Sequence, residues 1–213
     1  MGIVIGGVFG KVKNAVGNVV FSSWKGRNTV RSKALSVANP RTTPQINQRT
    51  KFRGASKFFS SILGVWVKPL WDRFSGDVTG YNAIMSANTE IFDDGGTPVW
   101  GNLKMSKGKM VSPTVNTCVA DESIGSIAGS VQFPVDASYG LNGESCFIVA
   151  FNESDGAFIG SDEVTGNPNS AVNYSIVSDE VIAGEIYAVF FALKRPDGTA
   201  VSDATYHQVT AIA

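Results

Sequence analysis

The residues best placed to do chemistry in this chain are cationic. Between Ser22 and Lys57 lie Lys25, Arg27, Arg31, Lys33, Arg41, Arg49, Lys51, Arg53 and Lys57, without one Asp or Glu. Lys11 and Lys13 precede them, and Trp24, Phe52, Phe58 and Phe59 are interleaved. Guanidinium and ammonium groups without local counter-charges attract anions, whether the phosphates of a nucleic acid or the carboxylates of a protein. An exposed aromatic among them could stack on the bases of a single strand. Phe52 and Phe59 fall on a helical apolar stripe, which leaves Trp24 as the aromatic expected at the surface. The candidate contact residues are therefore Lys11, Lys13, Trp24, Lys25, Arg27, Arg31, Lys33, Arg41, Arg49, Arg53 and Lys57. The structural alternative is a solvated hairpin edge and the wet side of an amphipathic helix.

Nothing comparable points to catalysis. His207 is the only histidine, and no Ser, Cys or carboxylate motif adjoins it to make a triad. No Cys/His cluster has zinc spacing. Gly10-Lys11 lacks a phosphate-binding loop around it, because Ile5 stands where the first glycine is needed and Val12 where Ser or Thr is. Asp93-Asp94-Gly95-Gly96 lacks the alternating ligands and distal Glu of a calcium loop. The pairs Asp121-Glu122, Asp162-Glu163 and Asp179-Glu180 read as solvated loop positions. We expect a non-enzymatic protein with no cofactor and no metal. Cys118 and Cys146 sit in apolar runs and read as two free buried thiols.

The elements that must carry the basic residues can be read in order. Residues 2–17 hold Gly2, Gly6, Gly7, Gly10 and Gly17, too many for a stable helix, and read as an extended arm. Asn18–Trp24 and Thr29–Lys33 form a hairpin about a turn at 25–28. Pro40 ends that unit. Thr43 and Pro44 open a helix whose stripe Phe52, Ala55, Phe59, Ile62, Leu63 and Trp66 faces a core, while Arg49, Arg53 and Lys57 recur every four residues on another face. A break is expected near Gly64 and Pro69, a short helical piece over 70–74, and a further helix over 81–92. Leu103–Val111 reads as strand, turn and strand. Beyond Ser112 come strand-like runs at 114–119, 127–135, 145–151, 171–177, 185–193 and 205–212, separated by Gly/Asn/Pro/Asp turns. The runs at 146–150 and 186–191 are apolar on both faces, as in central strands covered twice.

The predicted fold class is α+β. A basic arm, hairpin and helical domain spans 1–112, and an acidic antiparallel, immunoglobulin-like β-sandwich spans 113–213. The formal charge supports two halves: residues 1–76 carry 13 Lys/Arg against one acid (13 − 1 = +12), and residues 77–213 carry 5 against 17 (5 − 17 = −12). The basic half could bind nucleic acid through residues 1–76, or dock on the acidic half of its own or another copy. The start is apolar but has no basic residue before it and meets Lys11 too soon for a signal core or a membrane span, so neither export nor membrane insertion is expected.

Ser23-Trp24-Lys25-Gly26, Asn39-Pro40-Arg41-Thr42, Gln45, Gln48-Arg49 and Lys51-Phe52 resemble a family of unknown function in Bacteroidota and their phages and prophages. Gly10-Lys11, Gly17-Asn18-Val19, Thr43-Pro44-Gln45-Ile46 and Ser106-Lys107-Gly108-Lys109-Met110 fit the same pattern, with Met110 where the family has Leu. The resemblance covers about residues 1–112 and brings no site residues with it. It implies a bacterial or phage setting. The function expected is that of a bacteriophage virion structural protein, associated with capsid, neck or tail. It would be made in the bacterial cytoplasm and would meet copies of itself and other virion proteins. A nucleic-acid-associated protein and a surface adhesion module built on the sandwich are the alternatives.

Overall fold

A computed structural model of the chain describes residues 2–4, 14–24, 27–34, 36, 39, 41–72, 78–135 and 142–213, with backbone alone at 2–4, 23, 24 and 27. Two compact units divide between Thr42 and Thr43.

The first unit is a four-stranded antiparallel sheet in the order β1-β4-β3-β2 (β1 Gly2–Val4, β2 Asn14–Val16, β3 Val19–Trp24, β4 Arg27–Ser32). Its centre is a hairpin of β-branched strands, with Phe21 opposite Val30 and Trp24 opposite Arg27; Arg27 and Asn28, expected in the turn, belong to β4, and 25–26 lie outside the described residues. Of the arm expected over residues 2–17, residues 5–13 lie outside the described residues. Its described ends form β1 and β2, which pair with the outer edges of β4 and β3. Gly17, at φ +60°, allows β2 to turn directly into β3. Val16, Val19, Phe21 and Val30 share one face by register and alternation. No side chain described in this unit is buried.

The second unit has three layers. Helix α1 (Thr43–Ser61) begins with Pro44 in its first turn, where a missing N–H is harmless. Near Gly64 the helix widens into a π-helical turn, Leu63–Val67, with the amide of Val67 reaching the carbonyl of Ile62 at 3.2 Å. The extra residue turns both Trp66 and Val67 inward. Then follow α2 (Lys68–Trp71) and α3 (Gly80–Asn88), the latter capped by the hydroxyl of Thr79, which accepts from the amide of Asn82.

The strands are β5 (Thr114–Asp121), β6 (Ser126–Gln132), β7 (Glu144–Asn152), β8 (Phe158–Gly166), β9 (Ala171–Val177), β10 (Ile186–Lys194) and β11 (Thr205–Ile212). They run in the order β8-β7-β10-β11-β5-β6-β9. All neighbours are antiparallel except β11 and β5, where Ala211 and Ile212 lie parallel to Ala120 and Asp121. β11 thus joins a four-stranded to a three-stranded layer. The free edges of β8 and β9 meet, where the Ser175 amide donates to Oδ2 of Asp162 at 3.0 Å. The result is an antiparallel sandwich close to a barrel.

Both faces of β7 and β10 are covered, as their sequences require. Phe147, Val149, Phe151, Ala188, Phe190 and Ala192 face the helices and share a core with Phe58, Phe59, Ile62 and Trp66. Cys146, Ile148, Ala150, Val189, Phe191 and Leu193 face the other sheet and pack on Ile127, Val131, Phe133 and Ile176. Phe58 stacks on Phe151 with ring centroids 4.5 Å apart, a contact of about 0.5–1.5 kcal/mol beyond simple burial. This shared core is why the units part at Thr42/Thr43 and not near residue 112, where the composition changes. Two further expectations are corrected. Residues 103–109 form no hairpin, and Met110 bridges to Ser202 instead. β8 is a full strand where none was expected, its alternate residues lying more open to solvent than a run of apolar residues would.

Candidate interaction surface on the first helix

Of the predicted contact residues, Lys11, Lys13 and Lys25 lie outside the described residues, and Trp24 and Arg27 are placed by backbone only. Arg31, Lys33 and Arg41 are exposed on the first unit. Arg49, Arg53 and Lys57 are exposed on α1, and the structure brings these three together on one side of the helix. The reason is helical geometry: residues four apart lie one above the other, and Ala55, Phe58, Phe59 and Ile62 take the opposite side into the core.

Phe52 departs from the expected stripe. It is 55% exposed, and Phe58 occupies the inward place. The described cover from α3 reaches α1 at Ser56, whose hydroxyl lies 2.9 Å from that of Tyr81, one turn beyond Phe52. The aromatic ring thus stands among cations. Gln48, Arg49, Phe52, Arg53, Ser56, Lys57 and Ser60 line a groove of about 680 Å³ along the helix. A second groove, of about 670 Å³, lies between α1, the 92–98 segment and the turn at 155–158, with Phe58, Phe92 and Phe158 in its wall and Arg53 and Lys57 also lining it. Along this groove α1 comes very close to that segment. A Cβ on Gly54 would lie 2.1 Å from the carbonyl oxygen of Gly96.

Lys51 is tied down by Asp94 at 3.2 Å, which also accepts from Asn47. Among the described residues no ion pair or hydrogen bond engages Arg53 or Lys57. Two unengaged cations beside an exposed ring suit an anionic group with an apolar neighbour. Among the described residues no group of three or more His, Cys, Asp or Glu could hold a metal ion. No helix among them is long and apolar enough to cross a membrane.

The thiols are free, Cys146 buried and Cys118 half-buried. Burial pushes both thiols above their ordinary value, and a hydrogen bond from Tyr174 only partly offsets this at Cys118. The reactive species is the thiolate. Native protein at about pH 7 is therefore expected to leave Cys146 unmodified by iodoacetamide and to take the label there once unfolded in urea. Rapid native labelling of Cys146, read by mass spectrometry, would contradict the burial.

A family model described as "Family of unknown function (DUF6266)" matches residues 10–208. No curated protein matches the chain. Among solved structures, a family 76 glycoside hydrolase from a bovine Bacteroides thetaiotaomicron strain is similar at TM-score 0.32 and 14% identity, over 48% of this chain and 21% of that one. The sensor domain of the anti-sigma factor RsgI4 in Pseudobacteroides cellulosolvens matches at TM-score 0.31 and 13% identity, over 49% of this chain and 76% of that one. The adhesin domain of Epf from Streptococcus pyogenes matches at TM-score 0.32 and 16% identity, over 49% and 34%.

Proposed function

The chain belongs to that family of unknown function, DUF6266, and from this premise we propose that it is a non-enzymatic structural subunit that assembles with copies of itself through its basic N-terminal half. The observation that carries the reading is the division of charge between the two compact units. Residues 1–42 hold 7 Lys/Arg and no acid, and residues 43–213 hold 11 Lys/Arg against 18 acids (11 − 18 = −7). Opposite charges on two units of one neutral chain favour contacts of fixed polarity between copies and disfavour like-with-like pairing. The first unit adds a second reason. Its described side chains are half-buried or exposed, and a small sheet gains from a partner surface.

The setting of this assembly is a bacteriophage particle, alongside other virion proteins. The resemblance of the Asn39-Pro40-Arg41-Thr42 helix start to a family found in Bacteroidota and their phages and prophages supports it. The second unit would be its rigid body, with an immunoglobulin-like sandwich as the frame. Three strands (β5, β6, β9) facing four (β8, β7, β10, β11) support that label, as does Tyr187 near the start of β10. Its hydroxyl donates to the carbonyl of Glu180 at 3.2 Å and accepts from the amide of Ile182 at 2.9 Å, in the manner of a tyrosine corner.

Light scattering across a salt series tests the reading. Multimers are expected at about 0.01 M salt, where the screening length is about 30 Å, and dissociation near 1 M, where it is about 3 Å. A particle that stays at 22.6 kDa throughout would overturn the proposal. Salt-sensitive binding to DNA by such a monomer would put a nucleic-acid role in its place.

A further inference from the structure

We infer that the groove along α1 receives, from a second copy of this chain, the turn that joins β5 to β6, Asp121–Gly125. The inference rests on the assembly reading above and adds to it a contact whose two sides both lie in the second unit. Ile124 in this turn is 70% exposed, one of the most open large apolar side chains described. The turn is held in shape before any partner arrives. Oδ1 of Asp121 accepts from the Ser123 hydroxyl at 2.6 Å, the Ser123 amide at 2.9 Å and the Ile124 amide at 3.3 Å. A preformed element loses less entropy on docking. The amide of Ser178 donates to the carbonyl of Gly125 at 2.8 Å, which brings up the end of β9 with Val177, 74% exposed, and the exposed pair Asp179 and Glu180.

An apolar tip among carboxylates is the complement of Phe52 in a groove that Arg53 and Lys57 also line. Burial of Ile124 against the ring would supply attraction, and the charges would fix which surface meets which. Charge also disfavours the like-with-like pairings between copies. Two α1 faces would set cations against cations, and two acidic ends would set carboxylates against carboxylates. Groove to turn brings opposite charges together, and a formal net charge of zero means that whole molecules do not repel at long range.

Two surface variants test it by light scattering at about 0.01 M salt. The groove variant carries Arg53→Glu and Lys57→Glu. The turn variant carries Glu122→Gln and Ile124→Ser. Each alone is expected to fall from multimer to a 22.6 kDa monomer. An equal mixture retains one intact groove and one intact turn, and is expected to give pairs of twice that mass. Recovery in the mixture also shows that both variants are folded. If either variant assembles like the unaltered chain, or the mixture stays monomeric, this contact is wrong and the broader assembly reading stands. An unaltered chain that is itself monomeric removes the assembly reading and this contact with it.

Discussion

Trp66→Ala is expected to cost the second unit about 3–5 kcal/mol, the range for emptying a buried aromatic site. Trp66 has no solvent exposure and lies in the π-helical turn, between the helices and the β7–β10 face. Its indole N–H donates to the carbonyl of Met105 at 2.9 Å, and the indole of Trp71 donates to the same oxygen at 2.7 Å. The two effects can be separated. Trp66→Phe removes the N–H and part of the volume, but Met105 keeps its bond from Trp71, so no buried acceptor is orphaned. That variant should lose no more than about 1–2 kcal/mol by the ordinary worth of one hydrogen bond and a modest void. A folded domain has only about 5–15 kcal/mol to lose. Urea unfolding followed by far-ultraviolet circular dichroism should show the Ala variant near the edge of stability and the Phe variant close to the parent. Equal midpoints for Ala and parent would mean that the helical layer does not share the sandwich core.

Much of that layer can be read in the chain. Ala55, Phe59, Ile62 and Trp66 are buried at the spacing a helix requires, and the break near Gly64 and Pro69 is real. β9 and β11 have the bounds that their alternation and turn residues mark. The failures share a cause. Phe52 obeys the same spacing as Phe59 but has no described neighbour to bury it, and spacing alone cannot tell how far a covering helix reaches. β8 hides because an edge strand has no need of a run of apolar residues. The composition shift near residue 112 marks where helices give way to strands. The packing boundary lies at Thr42, because helices and strands on either side of 112 bury one another. For the candidate surface, the recurrence of Arg49, Arg53 and Lys57 was legible. The groove and the exposed Ile124 were not, because both depend on which neighbours are missing in space.

The segment Ser106–Met110 shows the same limit from the other side. Its pattern resembles a family signature, and by sequence it would be a hairpin. In the fold it is a clamp on the β10–β11 connection. The Ser106 hydroxyl donates to the carbonyl of Ser202 at 2.7 Å, the Gly108 amide to Oδ1 of Asp203 at 2.9 Å, and the amides of Lys109 and Met110 both to the carbonyl of Val201 at 3.0 Å. Gly108 is the residue that permits this. A Cβ there would sit 1.7 Å from the carbonyl oxygen of Val201, which is backbone and cannot swing aside. Gly108→Ala would gain about 0.4–1 kcal/mol from a less flexible unfolded chain if the site had room. Against that stands the loss of two or three of these hydrogen bonds, at about 0.5–1.5 kcal/mol each, in a partly buried place where freed groups are not rehydrated well. The clash wins, and a net loss of about 2–3 kcal/mol is expected, with faster amide hydrogen exchange at Lys109 and Met110. An unchanged urea midpoint, with exchange at those two amides as slow as in the parent, would show that the clamp does not hold the helical layer to the sandwich.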